Sequence, residues 1–490
     1  MVRPFTRTRE NRRFGSLHFL VVVFLLSLPL SNPWVRGDGV GYYAYARALL
    51  IGHNLRFEQD FRAANPSFRE NRLAENGQVR PSYYTATGHL DNHFTVGPAM
   101  LWSPFLLAAH AGVLLSRALG ATVAADGYSA PYRLAMALAT AFYGFLGLWL
   151  SFRLAREYVA ERWALLATLG IWWASPLPVY AYFNPSWSHA QSAFACALFL
   201  WYWHRTRPAR TPQQWFLLGL AAGLMVNVYY LNAIFLLVPA LEALSAYWRS
   251  WRAAAPAWPP AWRLALRHAL FLAMFFAALL PTWITRRVIY GSWLVSGYIP
   301  LRQWHWARPA LWSVLFSSDH GLLSWTPILL FACAGLFLFC KREPRTGVRL
   351  AASALAFYYA IAAYPNWDGL SSFGNRFFVS LTPLFVLGLA VALDAFGRLF
   401  ARQRAALAAA SAAVVLLILW NLGFMFQWGM HMIPVRGPVS WTEVARNQFQ
   451  EVPLKLTGRF RDYLFHRRAL MQHIEEKDLE QLRNAQAAGP

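Results

Sequence analysis

Charge is scarce in this chain: only 14% of its 490 residues are charged, against the usual quarter. Lysine is nearly absent, occurring only at 341, 455 and 477, so almost all of the 45 basic residues are arginine. There are three cysteines, Cys196, Cys333 and Cys340, each inside an apolar block. That placement excludes a disulfide framework and a cysteine-based metal centre, and reads as core packing. No internal repeat, low-complexity tract or separate soluble domain stands out. No small-x-small cleavage site follows the apolar run Leu17 to Leu30, although Arg3, Arg7, Arg9, Arg12 and Arg13 precede it. The run therefore reads as a retained first helix and not as a cleaved signal.

Apolar residues take up the space that charge leaves. Hydrophobic residues make up 57% of the chain and the mean hydropathy is +0.31. They come in blocks long enough to cross a bilayer as helices. Many of the 24 tryptophans fall at block ends, where an amphipathic ring prefers the membrane interface. The pattern predicts an all-α polytopic membrane protein with about 11 transmembrane helices. The formal charge of +23 reads as a membrane protein's arginine-rich inner loops, not as a nucleic-acid surface.

Taken in order, residues 1–16 form a basic cytoplasmic N-terminus, 17–428 the transmembrane domain and 429–490 a C-terminal tail. Helix 1 is expected over 17–34. Residues 31–130 form a long first outer loop with eight arginines and seven acids, near balance. Within that loop Val96 to Leu115 is apolar, interrupted by Gly97, Pro98 and Pro104; as a spanning helix it would swap every later basic cluster to the outside, so it is expected to be a helix lying in or dipping into the interface. Further helices are expected near 131–152, 163–183, 188–203, 213–230, 231–248, 269–285, 325–340, 350–364, 378–396 and 405–428. Arginine clusters at 153–162, 205–210, 249–267, 341–349 and 398–404 then fall on one side, with few acids among them. An odd helix count puts the tail outside, with an exposed charged helix near 467–486.

The chain reads as organised around Asn32 to Tyr43, just past the first helix. Asp38 is the first carboxylate there, flanked by Gly37, Gly39 and Gly41, and followed by Tyr42 and Tyr43. Two readings stay open: Asp38 caps the following helix, or it is a catalytic base at the membrane surface, with Tyr42 and Tyr43 beside the substrate. Arg286, Arg287 and Arg376 sit on the expected outer face and suit an anionic phosphate; snorkelling to headgroups is the competing role. His89, Asp91 and His93 alternate, so three metal ligands would converge on a strand or loop, though no fourth is evident. Hydrogen bonding by Asn92 and His93 near a substrate is the preferred reading of that run. His189 lies in a polar turn, and His320 and Asp368 lie in later outer loops, each a candidate for substrate contact.

These features together resemble the bacterial GT-C glycosyltransferases, multi-pass enzymes that include the protein O-mannosyltransferases and aminoarabinose transferases. The similarity rests on Gly37-Asp38-Gly39 before an aromatic helix, Thr95-Val96-Gly97-Pro98-Ala99 with Pro104, Trp367-Asp368-Gly369, and Phe373-Gly374-Asn375-Arg376-Phe377. The resemblance implies sugar transfer from a polyprenyl-phosphate donor to a lipid, glycan or protein hydroxyl, outside a bacterial inner membrane. It puts the family's first-loop acid on Asp38. Some members carry Asp-Glu there; this chain has Asp38-Gly39, so one carboxylate is implied. No cofactor is required by this reading, with a divalent metal as an option. A flippase of lipid-linked sugars, or a surface-glycan polymerase or ligase, is the alternative.

Overall fold

The computed structural model describes residues 15–207, 209–252 and 261–487, with the backbone alone at 261 and 485–487. The arginines expected in the N-terminal segment before residue 15 lie outside the described residues. Helices of twelve or more residues are α1 (Ser16–Ser27), α2 (Asp38–Leu50), α3 (Gly97–Ala118), α4 (Ala130–Ala155), α5 (Glu161–Trp173), α6 (His189–Arg205), α7 (Pro212–Val228) and α8 (Leu237–Arg252). They continue as α9 (Ala261–Tyr290), α10 (Ile328–Arg342), α11 (Pro344–Ala363), α12 (Thr382–Gly397), α13 (Gln403–Gly429), α14 (Val452–Phe465) and α15 (Arg467–Ala487). Extended pairing among the described residues is limited to two isolated bridges, Leu73 with Val79 and Tyr84 with Leu90.

The chain is an all-α, multi-pass membrane protein. Among the described residues, seven helical stretches are long and apolar enough to cross: Gly97–Ala118, Ala130–Ala155, Tyr230–Arg252, Trp262–Tyr290, Pro344–Ala363, Arg376–Gly397 and Gln403–Gly429. The helix expected over 163–183 is shorter, ending at Trp173, because Pro176 and Pro178 follow and cannot continue its ladder. A separate wide turn covers Val179–Phe183 before the chain re-enters at α6. α7 starts on a capping box: the Thr211 hydroxyl accepts from Gln214 N at 3.3 Å, and the Gln214 side chain accepts from Thr211 N at 2.9 Å.

α3 covers the stretch expected to be an interfacial helix. It is one continuous 22-residue helix with Pro104 inside, long enough to cross. Two side-chain contacts fix its register on α4. Trp102 Nε1 donates to Thr140 Oγ1 at 2.8 Å, and His110 Nδ1 lies 2.7 Å from the Tyr132 hydroxyl. The pair is antiparallel, so Gly97 stands level with the middle of α4 and the other end of α3 passes the beginning of α4. The chain on both sides of α3 returns to α2: the Asn92 side chain donates to Gly41 O at 2.9 Å, and the Tyr43 hydroxyl donates to Gly127 O at 2.6 Å.

The arginine clusters meet on one face. Arg210 pairs with Glu242 at 3.0 Å, Arg342 and Arg398 both pair with Asp394 at 3.1 and 2.8 Å, and Arg342 also donates to Tyr158 O. The two acids inside apolar helices are thus neutralised at that face. The first polar loop and the tail lie together at the other. There Tyr463 donates to Leu30 O at 2.6 Å, Glu475 accepts from Ser67 N at 2.6 Å, and Arg483 pairs with Glu70 at 2.7 Å. α15 is therefore not a free charged helix: Leu470, Ile474 and Glu475 are buried against the first loop.

Candidate active site

The segment after α1 is extended, then turns sharply into α2. Gly37 makes the turn at φ +53°, a left-handed conformation that a side chain disfavours, and the Trp187 ring closes over it. Gly39 follows, where an added Cβ would fall inside the Ser186 side chain. Together they seat the start of α2 against the Asn184–Ser188 turn.

This seating takes Asp38 out of the cap position. Gly37 holds the cap position, and Asp38 lies inside the first turn with no capping hydrogen bond. Its Oδ2 instead lies 3.1 Å from Arg376 Nη2. The Asp38 side chain is 37% exposed and Arg376 11% exposed. The guanidinium also sits 4.4 Å over the Trp187 ring, and Trp187 Nε1 donates to Arg36 O at 3.0 Å. The carboxylate, the arginine and the indole thus hold one another from three separated stretches of sequence.

The pair opens into a cavity of about 1710 Å³. Its polar end is lined by Asp38, Arg376, Arg36, Arg72, His93 and Trp187. Its long wall is apolar, built from Leu26 of α1 and Leu30 just after it, Leu419 and Leu422 of α13, and Leu456 and Phe460 of α14. Arg36 is tied to Asp478 of α15, and His431 Nε2 meets the same carboxyl at 2.9 Å, so the tail forms part of the enclosure. Burial works against the Asp478 carboxylate, but Arg36 and His431 hold it below the usual range. Arg72 stacks 4.0 Å over Phe68 and donates to Phe68 O at 3.1 Å.

The remaining sequence candidates fall into three groups. His93 lines the cavity, with its ring 4.2 Å from Phe94 and 4.7 Å from Tyr298. Burial holds its imidazole below the ordinary value, against the opposing pull of Asp91 and Asp38. Tyr42 and His189 form a layer behind. Tyr42 is 4% exposed, accepts from Ser188 Oγ at 2.9 Å, and has its hydroxyl pushed up to about 12 chiefly by burial. The His189 ring lies 4.8 Å from Tyr180 and 6.1 Å from Trp187.

The third group serves the scaffold. Tyr43 points to Gly127. Asn92 is 2% exposed, and its carbonyl accepts from Tyr45 and Arg286 at 2.8 Å each. Arg286 is 1% exposed and donates to the carbonyls of Asn92, His93 and Phe94 and to the Tyr230 hydroxyl. It clamps the loop that carries His93 and leaves the phosphate reading without a free guanidinium edge. Arg287 is exposed and donates to Gly291 O. His89, Asp91 and His93 do not converge on a metal. His89 Nδ1 lies 3.1 Å from Thr87 Oγ1, Asp91 accepts from the Tyr290 hydroxyl, and His93 faces rings. Among the described residues the group with metal-like spacing is Asp319, His320 and Asp368. Arg36, Arg72 and the tail residues were not singled out from sequence; Arg36 carried a signal in its position two residues before Asp38, and Arg72 carried none.

No family model matches the sequence, and no curated protein matches it. Among solved structures the chain is similar to ArnT from Cupriavidus metallidurans bound to undecaprenyl phosphate, at 15% identity and TM-score 0.47 over 84% of this chain and 71% of that one. The apo form of that ArnT gives 16% identity and TM-score 0.47 over 88% of this chain and 73% of that one. The archaeal oligosaccharyltransferase AglB from Archaeoglobus fulgidus, in complex with an inhibitory peptide and a dolichol-phosphate, gives 14% and 0.48 over 95% of this chain and 56% of that one. The likeness is one of helix layout over most of the chain.

Proposed function

We propose that the chain is a membrane glycosyltransferase that moves a sugar from a polyprenyl-phosphate donor to an acceptor hydroxyl on the extracytoplasmic side of a bacterial inner membrane. The carrying observation is the single cavity in which a long apolar wall ends at Asp38 and Arg376. An isoprenoid chain suits the wall formed by α1, α13 and α14. Its phosphate would lie by Arg376 and Arg72, and the sugar between them and Asp38.

In this reading the acceptor oxygen attacks the anomeric carbon as Asp38 takes its proton. The bond from that carbon to the phosphate oxygen breaks, and its electron pair leaves with the polyprenyl phosphate. Charge grows on the phosphate in the transition state, where fixed guanidinium groups are most effective. The phosphate is a good leaving group without protonation, so one carboxylate suffices where glycoside hydrolysis uses two. Arg376 has a further role before donor binding, because its ion pair fixes where the Asp38 carboxylate points at the polar end of the cavity. Tail contacts to Arg36 would shield the reaction from water.

The test is transfer of labelled sugar from polyprenyl-phosphate donors by purified protein in liposomes. Free polyprenyl phosphate together with a labelled acceptor supports the proposal. Intact donor moved across the bilayer without bond cleavage would instead establish the flippase reading. Label found in lengthened surface glycan would establish the polymerase or ligase reading.

A further inference from the structure

A second polar cluster lies in the loops beside the cavity. Asp319 and His320 stand in the turn that precedes the short helix Leu322–Trp325, and Asp368 stands in the turn after α11. One ligand atom from each lies within 4.8 Å of the others. His320 is fully buried, yet both of its ring nitrogens lack a hydrogen-bond partner, and so does Asp319 Oδ1. Nδ1 lies 3.1 Å from that oxygen but is not aligned to donate to it. A buried imidazole with two idle nitrogens is costly unless something else satisfies it.

The backbone there is also held in an uncommon conformation. His320 has φ +56° and Leu370, two residues after Asp368, has φ +58°. Left-handed non-glycine residues persist where surroundings force them, and they gather at ligand sites. The turn is fixed on its other side, since Trp325 Nε1 and Val439 N both donate to Ser318 O, at 2.9 and 3.2 Å. Asp319 remains 26% exposed, which leaves a route from water.

We infer that Asp319, His320 and Asp368 bind a divalent cation of the zinc or manganese class. One imidazole and two carboxylates suit such borderline ions. Bonds of about 2.0–2.2 Å put ligand atoms no more than roughly 4.4 Å apart, so a small inward movement closes the set. The cation ties the 317–321 turn to the 366–375 turn. That second turn leads directly to Arg376: Gly369 packs beside the Arg376 side chain, and Ser372 Oγ donates to Gly374 O at 2.9 Å. The cation is thus a positioning element for Arg376, and it stands whether or not the chain transfers sugar.

The experiment uses full-length protein purified without a histidine tag, stripped with chelator and titrated with Zn²⁺ or Mn²⁺ alone. Bound metal is counted by mass spectrometry, and the thermal midpoint is followed. The wild type is expected to take one ion per chain and to lose thermal stability on chelation. Asp319→Asn and Asp368→Asn, near-isosteric changes, should each weaken binding at least tenfold, the upper part of what indirect ligand partners alone supply being about 100-fold. Both should make the midpoint insensitive to chelator. His89→Gln/Asp91→Asn should bind as wild type. Should Asp368→Asn fail to fold, the partly exposed Asp319→Asn carries the same readout. Absence of stoichiometric metal in the wild type, unchanged binding in the Asn variants, or loss of binding in the His89/Asp91 variant would overturn the inference.

Discussion

Replacing Arg376 with alanine should harm turnover far more than it harms the fold. At 3.1 Å from Asp38, two unit charges attract by about 5 kcal/mol at an effective dielectric near 20. Asp38 is 37% exposed, however, and water recovers most of that attraction when the partner goes. The net loss from the pair is then about 1–2 kcal/mol, and the lost stacking on Trp187 adds roughly 0.5–1 kcal/mol. The transition state loses more. Removing one fixed donor from a site of developing negative charge typically costs about 10²–10³ in turnover. Arg376→Lys keeps the charge but loses the planar fork and the stack, so it should fall between wild type and alanine, at about tenfold. The assay is single-turnover transfer in liposomes at saturating donor, with thermal midpoints measured on the same preparations. Folded alanine and lysine variants that both turn over within about threefold of wild type would refute a role for Arg376 at the leaving phosphate.

Three further outcomes follow from the geometry. Gly39→Ala should destabilise the protein by about 1–3 kcal/mol through its clash with Ser186, and Gly39→Ala/Ser186→Gly should recover part of this in thermal melts. Arg286→Met should cost at least about 2 kcal/mol, because it leaves the half-buried carbonyls of His93 and Phe94 without their donor and Asn92 O with Tyr45 alone; Arg287→Ala should stay within about 0.5 kcal/mol, read by the same melts. The depressed Asp478 carboxylate predicts acid release of the tail: its contribution is complete above the ordinary aspartate value of about 4 and is lost as pH falls through the lower folded value. Protease protection of α15 should therefore drop under acid, and Asp478→Asn should show the loosened pattern at neutral pH with a flattened pH response.

Much of the architecture is legible locally. Apolar blocks, their bounding tryptophans and the recurrent arginine clusters are one-dimensional signals, and the clusters do meet on one face through Arg210, Glu242, Arg342 and Asp394. Gly37-Asp38-Gly39 is also legible, because a sharp turn and a close approach both demand missing side chains. What pairs across the fold is not. Nothing near Asp38 names Arg376 as its partner, and nothing near Arg286 says that its guanidinium turns inward to three carbonyls. The run at 89–93 has metal-like residue types in sequence, but packing sends its side chains to separate partners, while Asp319, His320 and Asp368 meet from two distant turns. The register of α3 on α4 is likewise hidden, because it depends on Trp102 and His110 finding Thr140 and Tyr132.

The most direct test concerns the carboxyl group at the polar end of the cavity. In Asp38→Asn the side chain keeps its shape and loses its basicity, so the donor should still bind while single-turnover transfer falls by about 10²–10⁴. Transfer that continues near the wild-type rate, with an unchanged pH profile, would contradict the account.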